Sequence, residues 1–230
     1  VSIKKETDEI RNIRTGFLIW VLIWIINKSI IHLAFLTLPE SSFPAIDLLI
    51  KALNFILIIA LMIYVIRNWN WNLNDWGFTY DFGFWMTFIV TVGYVGYFWY
   101  VEGMPADFST QTLRQALTGV WEELISTVFL TALLIKYFLT LPKFNTVMAK
   151  VLAVGISALL FTLLHYGEWT QNEIIGNTIS FIVYRVIYAF VGTSFFGIAV
   201  HGVSNGNYMA FPFLLTFYFA IAFINRRTKK

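Results

Sequence analysis

The apolar positions of this 230-residue chain fall in long, nearly unbroken blocks rather than at the spacing of a one-sided surface helix. Blocks of about 20 apolar residues match the ~30 Å hydrocarbon core of a bilayer, where a helix satisfies its own backbone. The pattern predicts an all-α fold, a polytopic transmembrane helix bundle with about eight spans, a six-span count fitting nearly as well. They fall at residues 16–38, 44–66, 83–101, 118–141 and 151–166, in two short helices within 177–200, and at 208–225. The stretch 177–200 is divided near Gly192, where the run Gly192-Thr193-Ser194 weakens the helical pattern. Residues 67–82 carry several Asn and the indoles of Trp69, Trp71 and Trp76. Amphipathic rings suit the headgroup level, so this stretch is expected to lie along an interface. The first block is longer than the apolar core of a secretory signal and reads as a span. With no internal repeat, residues 1–230 read as a single integral membrane domain.

Composition removes the soluble alternative. Hydrophobic residues make up 58% of the chain and charged residues 13%, against about 25% charged in ordinary soluble domains. The mean hydropathy is +0.70. There is no Cys, which excludes disulfides and thiolate metal sites. No stretch is basic enough to suggest nucleic-acid binding.

Charge sets the expected orientation. Lys4, Lys5, Arg11, Arg14, Arg67, Lys143, Lys150 and the terminal Arg226, Arg227, Lys229 and Lys230 all fall on one side of the span pattern. The opposite loops hold Arg114 alone. The positive-inside rule then predicts a multi-pass protein of the cell membrane with both termini cytoplasmic.

Ionisable groups inside spans are costly and mark functional sites unless they are paired. Several here have structural explanations. Asp47 and Lys51 stand four apart on one helix face and can neutralise each other. Lys136 can snorkel to the inner surface, and His32 reads as a satisfied buried histidine. Glu122 and Glu123 are harder to explain. Adjacent helical residues differ by about 100° in direction, so the pair is expected to meet different partners, one in a cavity and one in a packed contact. A carboxylate so embedded can act as a general base; the structural alternative is a helix N-terminal pair favoured by the macrodipole. His165 closes the fifth span in Phe161-Thr162-Leu163-Leu164-His165, and His201 and Asn205 are four apart just past the end of the seventh. An imidazole and an amide side by side can stabilise an oxyanion. Span directions bring the three groups to one depth, toward the outer half of the membrane, as a hydrolytic centre would require.

These residues, in this order, resemble the CPBP family of intramembrane proteases, which includes CAAX prenyl proteases and bacteriocin-processing or immunity proteins. The family pattern is EExxxR, FxxxH and HxxxN or HxxxD on successive helices. It is met here by Glu122-Glu123, by Phe161 and His165, and by His201 and Asn205. The resemblance covers about residues 115–207, and Thr127 stands where the family has Arg. It implies an endopeptidase acting on a peptide that enters from the membrane. Glu122 would activate water, and His165 would orient that water or shuttle its proton. His201 and Asn205 would hold the oxyanion, with Glu123 as electrostatic support. It also leaves open a single zinc ion on Glu122, His165 and His201, the metal-free form being favoured because no HExxH motif is present. With Thr127 unable to neutralise Glu123, Arg185 is the expected substitute cation. Two other readings stand beside this one. The first is a catalytically impaired member acting by binding in bacteriocin self-immunity. The second is a small transporter, which the lack of repeats disfavours.

Overall fold

The computed structural model describes residues 3–102, 109–165, 167, 170–204 and 210–228. Their regular structure is helical throughout: α1 (Ile3–Thr37), α2 (Phe43–Asn68), α3 (Phe82–Glu102), α4 (Thr110–Glu122), α5 (Leu130–Leu139), α6 (Thr146–Leu164), α7 (Gln171–Val186), α8 (Phe195–Ser204) and α9 (Ala210–Thr228). A π-helical stretch, Glu123–Phe129, joins α4 to α5 without interruption, and another, Ile187–Val191, prolongs α7.

The eight apolar segments of the sequence correspond to six helices long and apolar enough to cross a membrane and two short ones, α8 and the apolar part of α9. At ~1.5 Å per residue, a ten-residue α8 reaches only about half the hydrocarbon depth. Its start follows from Gly192, whose φ of +87° ends the preceding turn in the left-handed region.

Burial identifies the central element. In the apolar stretch of Thr112–Leu139, 94% of residues are buried, against 24–33% in the other long spans. Those outer helices turn Leu18, Leu22, Ile25, Leu53, Ile56, Ile89 and Val151 outward, the surface a lipid solvent requires. Local caps begin the helices that carry the site. Ser109 and Thr112 exchange hydrogen bonds at the start of α4, Asn145 accepts from the Met148 N–H at α6, and Thr170 and Glu173 form a capping box at α7. Hydroxyl pairs tie neighbouring helices together, Thr131 to Ser157 and Thr162 to Thr178, each at 2.9 Å.

Two expectations need correction. Residues 67–82 do not spread along an interface: Trp69, Trp71 and Trp76 turn inward onto Phe129, Trp76 stacking on it at 5.6 Å with the rings 9° from parallel. An indole buries more apolar surface against an aromatic partner than at a wet boundary. α9 holds this loop from the other side. The Tyr218 hydroxyl accepts the Thr79 N–H and lies within 3.0 Å of the Gly77 and Thr79 carbonyls. Asn225 donates to Asn74 and to the Phe78 carbonyl. Lys136, expected to snorkel, instead meets Asp75 of this loop at 3.8 Å and lies over the Trp71 ring.

Candidate active site

The site depends on how closely α4 can approach α8. A Cβ built at Gly119 would lie 2.5 Å from the Gly202 Cα and 2.6 Å from its nitrogen. The two backbones therefore touch where each carries a glycine, one turn from the Glu pair on α4 and next to His201 on α8. A Cβ at Gly197 would meet Glu123 Oε2 at 2.6 Å, so that glycine makes room for the buried carboxylate.

The contact brings both carboxylates to one imidazole. His201 Nδ1 lies 2.8 Å from Glu123 Oε1, and His201 Nε2 lies 3.5 Å from Glu122 Oε2. The expectation that the two acids meet different partners is half right. Glu122 lines a cavity of about 830 Å³ while Glu123 sits behind it, almost fully buried. Yet both address the same ring, one at each nitrogen. The helix opens into π-geometry at Glu123, where the Leu130 N–H bonds the Ile125 carbonyl five residues back. This widened turn departs from the regular α-helical angle between neighbours. π-stretches of this kind occur often at functional sites.

His165 caps the end of α6 and lines the same cavity as Glu122 and His201. Its Nδ1 lies 3.0 Å from the Phe161 carbonyl, and Trp24 and Phe161 contact its ring. That explains the Phe four residues before it. On the far side of His201, Phe181 meets the ring edge-on and Tyr184 stacks on it. Asn205 lies outside the described residues.

The sequence reading began the fourth span at residue 118; it begins at Thr112, so Glu122 lies ~15 Å along a 28-residue span. The first turns escaped notice because Arg114, Gln115 and Thr118 are polar; they line the same cavity instead of a loop.

Glu123 has a different partner from the one expected. Arg185 is fully buried, donates from Nη1 to the Phe181 carbonyl at 3.0 Å, and lies over the rings of Phe161 and Phe181. Glu123 acts on it through space, but among the described residues the direct ion pair of Glu123 is with His201. The guanidinium donates to one carbonyl and rests against two aromatic faces, while its Nε and Nη2 have no hydrogen-bond partner among the described residues. Thr127 is buried, and its hydroxyl has no hydrogen-bond partner among the described residues.

The resemblance left open a zinc ion on Glu122, His165 and His201. Both His201 nitrogens face carboxylates and His165 Nδ1 faces a carbonyl. Among the described residues no group of three His, Asp or Glu donors gathers at metal spacing. As arranged, these residues do not fit a zinc ion.

Sequence reasoning missed Gly119, Gly197 and Gly202, although a glycine beside each charged motif was a readable sign of close backbone approach. The expected Asp47–Lys51 pair is present, but Arg114, read as a loop residue, joins it and lines the same cavity.

Two carboxylates, Glu123 buried and Glu122 at the cavity wall, bracket one imidazole, with a second imidazole lining the same cavity. Residues 110–207, the stretch that carries the whole cluster, match the family of type II CAAX prenyl endopeptidase Rce1-like proteins, which supports a CPBP intramembrane protease. No curated protein and no solved structure matches the chain.

Proposed function

We propose that this protein is an intramembrane endopeptidase in which Glu122 activates the water that attacks the peptide carbonyl. Glu122 takes one proton as the water oxygen bonds to the carbonyl carbon. His165, across the cavity, orients the water. His201 and Asn205 donate to the resulting oxyanion. As the C–N bond breaks, the proton held by Glu122 passes to the leaving amine. Glu123 does not touch the substrate: it fixes the His201 ring through Nδ1 so that Nε2 faces the cavity, the role a second carboxylate plays behind a working imidazole. Because His201 supplies a partner for Glu123, the site does not depend on the Arg that Thr127 replaces.

The observation supporting this reading is the pair of contacts at His201, 2.8 Å to Glu123 and 3.5 Å to Glu122, at the wall of the cavity that His165 also lines. The substrate is a peptide that reaches the cavity from the bilayer, and the family match favours one ending in a C-a-a-X sequence. Both termini are assigned to the cytoplasm by the basic residues at either end of the chain. Purified protein in liposomes should cleave such peptides. Glu122→Ala should remove the activity, and a zinc chelator should leave it intact. Binding without turnover by the unaltered protein would instead support the self-immunity reading, to which Thr127 lends weight. Loss of activity on chelation would restore the metal.

A further inference from the structure

The ten residues of α8 carry His201 near their end, so the direction of the helix at its start decides where the ring lies. His201 is ~9 Å along the axis from Phe195, and a tilt of about 6° at the start moves it by about 1 Å. A serine before the first turn usually closes a helix start with its own hydroxyl. The Ser194 hydroxyl is buried and has no hydrogen-bond partner among the described residues. The start is closed from elsewhere. Thr193 Oγ1 accepts the Phe195 N–H at 3.2 Å, and the Gly77 carbonyl accepts the Ser194 N–H at 3.0 Å. Gly77 comes this close because it has no side chain: a Cβ there would lie 2.5 Å from the Ser194 nitrogen, and its φ is +72°.

Tyr218 of α9 joins these two acceptors. Its hydroxyl lies 2.8 Å from the Gly77 carbonyl and 3.0 Å from both the Thr79 carbonyl and Thr193 Oγ1, and it accepts the Thr79 N–H at 2.9 Å. A phenol has one proton and two lone pairs. Carbonyls only accept, so the Tyr218 proton goes to them and Thr193 gives its own proton to Tyr218. The Thr193 oxygen then keeps its lone pairs for the Phe195 N–H. The directions close into a ring: Phe195 N–H to Thr193, Thr193 O–H to Tyr218, Tyr218 O–H to Gly77, and Ser194 N–H to the same carbonyl. Tyr218 is fully buried, stacked on Phe84 at 5.1 Å with the rings 6° from parallel, and it meets Phe195 edge-on. Hydrogen bonds linked in this way strengthen one another in a dry interior. Before Gly192, the Tyr188 hydroxyl donates to the Asp75 carbonyl of the same loop, so both arms of the α7–α8 break are tied to it.

We propose that Tyr218 is a positioning residue of the hydrolytic centre: through Thr193 and Gly77 its hydroxyl sets the direction of α8, and with it the distance from His201 to the two acids of α4. The inference rests on the protease reading. It adds to that reading a residue on α9, outside the family-matched stretch 110–207.

Tyr218→Phe removes the hydroxyl and keeps the ring stacking. In liposomes it should lower kcat on C-a-a-X peptides by about 10- to 100-fold, as a misplacement of up to ~1 Å would, with KM unchanged. Thr193→Val should do the same and Thr193→Ser should keep the unaltered rate. The Tyr218→Phe, Thr193→Val double variant should be no slower than either single one, because both break one ring. Asn225→Ala is the control. Asn225 holds the same loop through Asn74 and Phe78 rather than Gly77, so its loss should lower Tm and leave kcat alone. A second readout needs no turnover. Diethyl pyrocarbonate acylates accessible imidazole nitrogens, and mass spectrometry gives the modification of His201 relative to His165 in the same sample. Tyr218→Phe should raise that ratio several-fold, and Asn225→Ala should not. An unchanged kcat in Tyr218→Phe, or an equal loss in Asn225→Ala, overturns the positioning role and leaves the protease reading standing. If the unaltered protein cuts no peptide, the protease reading fails and the labelling ratio decides: a raised ratio in Tyr218→Phe keeps its placement of His201, and an unchanged one ends it. Should Tyr218→Phe not fold, Thr193→Val carries the same predictions.

Discussion

Replacing Gly119 by Ala tests whether the backbone contact between α4 and α8 sets the catalytic geometry. The added methyl would start 2.5 Å from the Gly202 Cα and 2.6 Å from its nitrogen. Ordinary carbon contacts begin near 3.5 Å, so the helices must separate by about 1 Å. No flexible side chain is there to yield, since the obstacle is backbone. The Glu123–His201 contact is 2.8 Å and the Glu122–His201 contact 3.5 Å. An added ~1 Å takes the Glu123 contact beyond hydrogen-bonding distance and moves Glu122 still farther from the ring. Overpacking of this kind costs about 1–3 kcal/mol of stability, and a 1 Å misplacement of reacting groups costs about 100-fold in rate. The control is Gly155→Ala on α6, where the new methyl meets nothing within 4 Å. A helix-interior Gly→Ala change there should be neutral or stabilising by up to ~1 kcal/mol. Peptide cleavage and thermal unfolding should be measured on both variants in the same liposomes. If Gly119→Ala keeps the unaltered kcat and Tm, the crossing does not position the site, and the argument built on it is wrong.

Glu123→Gln should lower kcat by about 10- to 100-fold with little change in KM, since it frees the His201 ring without touching substrate; a KM effect alone would make Glu123 a binding residue. A double-mutant cycle of Arg185→Leu with Glu123→Gln should give a coupling of about 1 kcal/mol, smaller than for a direct buried pair, because the two charges interact only through space. Coupling of several kcal/mol would mean that they do pair directly. The Cys-free chain suits labelling from outside intact cells: a Cys at Glu168 should react with an impermeant thiol reagent and one at Lys143 should not. The reverse pattern would invert the assigned orientation.

The helix pattern was legible because span length and hydropathy are set by the bilayer, and Gly192 marked the α7–α8 break where the left-handed turn occurs. The grouping was legible as an ordered set: Glu122, His165 and His201 line one cavity and Glu123 lies against His201, while their catalytic roles stay the proposal above. Three features were not legible, for separate physical reasons. The start of α4 was misplaced since Arg114, Gln115 and Thr118 face a polar cavity inside the bundle, and hydropathy cannot distinguish that from a loop. The convergence of both acids on His201 required π-geometry, which leaves no periodicity signal in seven residues. The Trp-rich loop was sent to an interface because composition reports that an indole is amphipathic and says nothing of Phe129, more than fifty positions away, waiting to stack on it.

Tyr218 and Asn225 grip a loop made 139 and 151 positions earlier in the chain. At a synthesis rate of about 5–20 residues per second, roughly 7–30 s pass between emergence of the loop and of its clamp. During that interval, α1 to α3 can enter the bilayer while the Trp69–Trp76 segment awaits its outer support. A ribosome-stalled chain ending before Tyr218 should leave that segment open to protease, and one ending after Asn225 should protect it; equal protection would show that α9 adds nothing. His201 lies on α8, made after α1 to α7, so the two acids cannot meet it until that helix has emerged. A nascent chain therefore crosses the insertion machinery, crowded with other unfolded peptides, without an assembled centre able to cut them.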